Sequence, residues 1–131
     1  MFPATFDLMP TITHTCTSLV AEAFYTISSI TFTVAGPILQ GGVAPMPRAG
    51  CATLSQSPVP GDGSFDIVCE VTGECVETFR LMGRFTDRDH LTATFSATYV
   101  SSPGAIIGCG EGLGARLCGD QTVTVSGTRR P

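Results

Sequence analysis

The sequence predicts an all-β protein: an antiparallel meander of about seven or eight short strands, forming a small barrel or sandwich and stapled by disulfides. Three observations carry this expectation. Apolar and polar residues alternate with a period of two through several runs, the signature of a sheet with one wet face. The intervening stretches are rich in Gly and Pro. Six cysteines stand in a chain of 131 residues, a density that suits a disulfide framework in an oxidising compartment.

Taken in order, residues 11–17 form a weak strand candidate, and 18–25 read as a strand or a short helix. Ile30, Phe32 and Val34 alternate with Thr31 and Thr33. "AGPILQGGVAPMPRAG" (35–50) reads as a loop, 51–56 as a second weak strand, and "SQSPVPGDGS" (55–64) as another loop. Phe65, Ile67 and Cys69 then alternate with Asp66 and Glu70, and Leu91 to Tyr99 alternate with Thr92, Thr94, Ser96 and Thr98. "SSPGAIIGCGEGLGARLCGD" (101–120) is a Gly-rich excursion before Val123 and Val125, which alternate with Thr122, Thr124 and Ser126.

Two hairpins can be registered. If Cys69 faces Cys75 across "EVTGE", Phe65 lies opposite Phe79 as an inner aromatic pair, and Ser64 meets Arg80 with Asp66 diagonal to it. Pairing Phe85 with Leu91 closes a five-residue loop, "TDRDH", and sets Leu81 against Phe95, Gly83 against Ala93 and Glu77 against Tyr99. One parity then holds every large side chain inside. A helix over 74–88 would align Arg80, Arg84 and Arg88 as a self-repelling stripe, which favours strands.

Composition bounds the function. A 43% hydrophobic and 14% charged chain buries enough apolar surface to fold as one domain, residues 1–131. The net charge is −4 and all seven basic residues are Arg, scattered along the chain; nothing forms the positive stripe that nucleic acid requires. Without Lys there is no amine for Schiff-base, pyridoxal or P-loop chemistry, and without Asn no N-glycosylation acceptor. The absence of both hints at a high-GC coding sequence. No apolar run approaches the roughly 20 residues of a membrane helix, and no signal peptide is visible, so a targeting segment for export would lie outside this chain.

The motifs that promise chemistry each have a structural reading. Asp87, Arg88, Asp89 and His90 sit at a hairpin tip, where short polar side chains bond their own backbone; catalysis would need a third group oriented on His90. "AIIGCGEGLGARL" (105–117) mimics a dinucleotide fingerprint but lacks room for the following helix and strand, and Glu111 would repel phosphates. "DGSFD" (62–66) lacks the twelve-residue length of a calcium loop. No C-x-x-C pair occurs and His14 and His90 are far apart, so no metal site is expected. Neither Ser64 nor Ser126 stands in a nucleophile elbow. Glu77 is the acid that shares the inner face, opposite Tyr99; this pair marks the open end of a barrel or lines a small polar pocket, and is the first place to seek a ligand. Proximity suggests the disulfides Cys69–Cys75, Cys109–Cys118 and Cys16–Cys51.

The tail "CGDQTVTVSGTRRP" and the run "CVETFRLMGRF" resemble small secreted β domains of high-GC bacteria, a likeness that names no family and implies no function. The leading expectation is a non-enzymatic extracellular, periplasmic or cell-surface domain without cofactor, acting as an interaction module or as a structural subunit that meets a protein partner or its own copies. A small-ligand carrier with an apolar pocket around Phe32, Phe65, Phe79, Phe95 and Tyr99 is the alternative. A hydrolase with a spatially assembled site is the third.

Overall fold

The computed structural model describes residues 3–16, 27–47, 50–73, 75–104 and 120–131, with 10–16 described by their backbone alone. Period-two alternation produces eight strands: β1 (Ala4–Cys16), β2 (Ser29–Ala35), β3 (Ile38–Ala44), β4 (Thr53–Gln56), β5 (Ser64–Val71), β6 (Cys75–Asp87), β7 (His90–Ser101) and β8 (Gln121–Arg129). Each pairs antiparallel with the next, and β8 returns to β1, closing an up-and-down barrel. Phe6, Phe32, Phe65, Phe79, Phe85 and Phe95 point inward; threonines, serines, Arg80 and Arg84 cover much of the described outer face. This polarity is the inverse of that of a lipid-embedded barrel. Among the described residues no helix is long and apolar enough to cross a membrane.

At four places in the interior a large side chain stands across from a small one. Phe32 pairs with Gly41, Phe65 with Gly83, Phe79 with Ala97 and Leu91 with Gly127. Gly83 is the tightest of these positions. A Cβ there would stand 2.1 Å from the Thr92 carbonyl oxygen and 2.6 Å from the Ala93 Cα, backbone atoms that cannot rotate away. Four rings, Phe6, Phe32, Phe65 and Phe85, fill one half of the barrel with centroids 5.1 to 6.0 Å apart. Phe79 meets Tyr99 edge-on at 6.4 Å in the other half.

The expected β6–β7 register is present throughout, from Glu77 against Tyr99 to Phe85 against Leu91. The β5–β6 register differs by four residues. Phe65 faces Gly83 rather than Phe79, Cys69 faces Phe79 rather than Cys75, and Ser64 faces Arg84 rather than Arg80. An even slip keeps every side chain on its face, and it sets Phe65 opposite a glycine and against the Phe32 and Phe85 rings. Arg80 remains diagonal to Asp66 and grips both of its carboxylate oxygens, with Nε 2.6 Å from Oδ1. Residues 38–44, expected as loop, form β3: the two-residue turn Gly36–Pro37, with Gly36 at φ +58°, reverses the chain, and Gly41, opposite Phe32, leaves space that the side chains of Ile30 and Ile67 fill.

The disulfide pairing is corrected as well. Cys51 is bonded to Cys69, which excludes both Cys69–Cys75 and Cys16–Cys51; Cys75 is disulfide-bonded too. The four-residue shift carried Cys69 away from Cys75 and left it beside the chain entering β4. The expected Cys109–Cys118 pair and the candidate element at 18–25 lie outside the described residues.

Closure is thinnest between β4 and β5, where the ladder is one pair, Ser55 with Val68. Other groups stand in for the missing rungs. Gln56 Oε1 accepts the Asp66 N–H at 2.7 Å, Asp62 Oδ1 accepts the Ser64 N–H at 3.0 Å, and Cys51–Cys69 ties the far end of the seam.

Two sets of substitutions test this account. Gly83→Ala is expected to lower the unfolding free energy by about 1–3 kcal/mol in urea titrations, whereas Gly61→Ala, whose Cβ would meet nothing within 4 Å, should change it by less than about 0.5 kcal/mol. At the seam, the Cys51→Ala/Cys69→Ala double variant should lose about 3 kcal/mol. Gln56→Ala should lose about 1 kcal/mol and speed hydrogen exchange at the Asp66 amide; an unchanged amide would refute the seam's dependence on that side chain.

Candidate functional site

The hairpin tip is more ordered than a five-residue loop. Asp87 pairs with His90 around the two-residue turn Arg88–Asp89, and a bulge between Phe85 and Asp87 absorbs the extra residue. Asp87 Oδ1 accepts the Asp89 N–H at 2.8 Å, and the two Asp87 oxygens lie 2.8 and 3.0 Å from His90 Nδ1. The Asp89 amide first, and His90 second, hold the Asp87 carboxyl below its ordinary value. An ionised carboxylate on Nδ1 makes that nitrogen the donor and leaves Nε2 as the ring's other polar atom. This is an oriented imidazole. It is also exposed, 54% for His90 and 59% for Asp87, and among the described residues no hydroxyl or thiol bonds to the ring.

Barrel closure adds partners that sequence proximity conceals. The pairing of β8 with both β7 and β1 brings the tip beside the first strand and the C-terminal residues. The Asp89 carbonyl accepts the Arg129 N–H and the Thr5 carbonyl accepts the Arg130 N–H, each at 2.8 Å. The Arg130 Nε donates to Asp7 Oδ1 at 2.8 Å, an exposed pair in which the Asp7 carboxylate raises the Arg130 pKa further. Between these segments lies a cleft of about 710 Å³ whose lining includes the charged Arg88, Asp89, Arg129 and Arg130 together with His90. Three of the chain's seven arginines thus converge, although their spacing in sequence suggested scatter.

Glu77 and Tyr99 do face one another on β6 and β7, and Glu77 is 2% exposed. They stand near the opposite end of the barrel, where Asp120 Oδ1 accepts the Tyr99 N–H at 2.9 Å and the Ser102 hydroxyl donates to the Gly73 carbonyl. The segment 105–119, which joins β7 to β8 at that end, lies outside the described residues.

Of the residues expected around an apolar pocket, Phe32, Phe65, Phe79, Phe95 and Tyr99, the first two pack against each other and Phe85, Phe79 meets Tyr99 edge-on, and Phe95 is fully buried. A cavity of about 240 Å³ lies instead under the 57–63 loop, against Leu39, Val59, Pro60 and Phe85. On the outer face a shallow groove of about 660 Å³ crosses β6, β7 and β8. Asp62 sits at its rim. The Ser64 hydroxyl, 2.6 Å from Asp62 Oδ1, and the Ser64 amide hold that carboxyl below its ordinary value. Among the described residues no group of three or more His, Cys, Asp or Glu side chains could hold a metal.

The sign of the Asp87 shift sets a pH dependence for the tip. A depressed carboxyl keeps its bonds above the ordinary value of 3.8 and loses them as pH falls through the lower folded-state value. The Asp89 amide proton resonance should therefore titrate with a midpoint below 3.8, and this titration should vanish in Asp87→Asn. A midpoint at or above the ordinary value would contradict the bonded turn.

Compared with known protein families, with characterised proteins and with solved structures, the chain finds no match.

Proposed function

We propose that the chain is a non-enzymatic interaction module of an oxidising, extracellular or cell-surface setting, which binds a protein partner or its own copies through the outer face of β6–β8. The observation that carries this reading is the groove on that face. Its floor is the β6–β7 backbone at Gly83 and Ala93, its walls are threonine and serine hydroxyls, and Met82 borders it at 49% exposure with Arg84 and Asp62 at the rim. Met9, 69% exposed, lies beyond it on β1, beside Ser126. Unbranched thioethers adapt to many shapes, and adaptable apolar side chains ringed by hydroxyls and opposite charges match the anatomy of protein interfaces.

Two further features support the reading. Side chains rather than a ligand-sized space occupy the ring-filled half of the barrel, so the surface is left to do the binding. The Cys51–Cys69 bond suits a compartment in which thiols are oxidised. A small-ligand carrier is favoured by one observation, the 240 Å³ cavity under the 57–63 loop, which is smaller than the roughly 300 Å³ at which sites for small molecules begin.

Methionine oxidation tests the proposal even while the partner is unidentified. In purified chain, dilute peroxide should convert Met9, Met46 and Met82 at comparable rates, because all three are exposed. In extract of the native source, Met82 should be protected at least about threefold relative to Met46, which lies off the groove on the β3–β4 connection. Equal rates in the two settings would sink the assignment of this face.

A further inference from the structure

We infer that the cleft between the hairpin tip and the two ends of the barrel sheet is a binding site for a tetrahedral oxyanion, a phosphate or sulfate group carried on a small molecule. The inference is independent of the protein-binding face, which lies elsewhere on the barrel.

Four observations support it. Arg88 and Arg129 both line the cleft, and among the described residues neither enters an ion pair or side-chain hydrogen bond, so both guanidinium groups are available to a ligand. Arg130 and His90, which complete the polar lining, are held in place by Asp7 and Asp87. The walls themselves are fixed, since main-chain bonds tie Arg129 to Asp89 and Arg130 to Thr5. The lining holds three arginines and one acid, Asp89; Asp7 balances Arg130, which leaves Arg88 and Arg129 facing Asp89 in a chain whose net charge is −4.

Chemistry selects the ligand class. Guanidinium groups present planar forks of donors that match the paired oxygens of phosphate and sulfate. Arginines from two separate segments suit an anion with oxygens on several sides better than a flat carboxylate. The cleft volume of about 710 Å³ exceeds what a bare ion fills and falls within the roughly 300–1,000 Å³ typical of small-molecule sites. The remaining space, bordered by Pro3, Ala4 and Thr128, accommodates the group that bears the anion.

The test is a set of nitrogen-15 NMR titrations of the full chain at low ionic strength with inorganic phosphate, phenyl phosphate and phenyl sulfate. Saturable shifts should be confined to Thr5, Arg88–His90 and Thr128–Arg130. Phenyl phosphate binding tighter than inorganic phosphate identifies an ester as the ligand, and equal affinities identify the free ion. Arg88→Gln/Arg129→Gln should weaken phenyl phosphate at least about tenfold. Asp89→Asn, which removes the carboxylate side chain that lines the cleft, should strengthen it about threefold. Arg80→Gln, on the outer face away from both the cleft and the groove, should leave it unchanged. These exposed substitutions are confirmed as folded by the unshifted resonances of the barrel interior. Failure of all three probes to saturate, shifts spread equally over Arg80 and Arg84, or an unaltered affinity in the double variant would each overturn the site.

Discussion

A sheet of eight strands closed on itself leaves an interior just wide enough for its own side chains, so volume matching across the ladder governs this structure. Phe65 over Gly83 is the decisive pair. Had Phe65 faced Phe79, two rings would compete for one layer while Gly83 left another underfilled, and both overpacking and voids cost stability. The register that avoids this also decides features with no direct part in packing. It moves Cys69 away from Cys75 and beside Cys51, while Arg80 stays diagonal to Asp66 in either register and keeps its ion pair. The disulfide is thus a consequence of the register.

Closure removes free sheet edges, and with them the main route by which β proteins pair nonspecifically. The β4–β5 seam is where that protection is weakest, because a four-residue strand lies beside an eight-residue one. The chain compensates with side chains. Gln56 and Asp62 occupy backbone donors of β5 that would otherwise face an absent neighbour. The Asp66–Arg80 pair on the same strands adds little, since both groups are more than a third exposed, and such pairs contribute at most about 1 kcal/mol.

Fold class was legible in the sequence because period-two alternation survives wherever one face is wet, as in Leu91–Tyr99 and Gln121–Ser126. The β6–β7 register was legible for the same reason, with a tight polar turn to anchor it. Strand β3 was not. Gly41 and Gly42 read locally as breakers, and only the neighbouring strands reveal that Gly41 accommodates the side chains of Ile30 and Ile67. The pairing of Cys51 with Cys69 depended on a register that parity alone leaves open by any even number of residues. At the candidate sites, His90 and its neighbours were visible as a polar tip, but their proximity to Arg129 and Arg130 arises from β7–β8 and β8–β1 pairing, contacts that local spacing cannot encode. Glu77 and Tyr99 were correctly placed opposite each other, since they sit within one hairpin.

The Cys51–Cys69 bond is asymmetric in its accessibility: Cys51 is fully buried and Cys69 only partly so. An attacking thiolate can approach from one side alone, and the sulfur it expels would be stranded as an anion in an apolar interior. Thiol exchange with a reductant is therefore slow until β4 lifts from β5, and its rate becomes a clock for that breathing motion, readable by quenching with an alkylating agent at timed intervals.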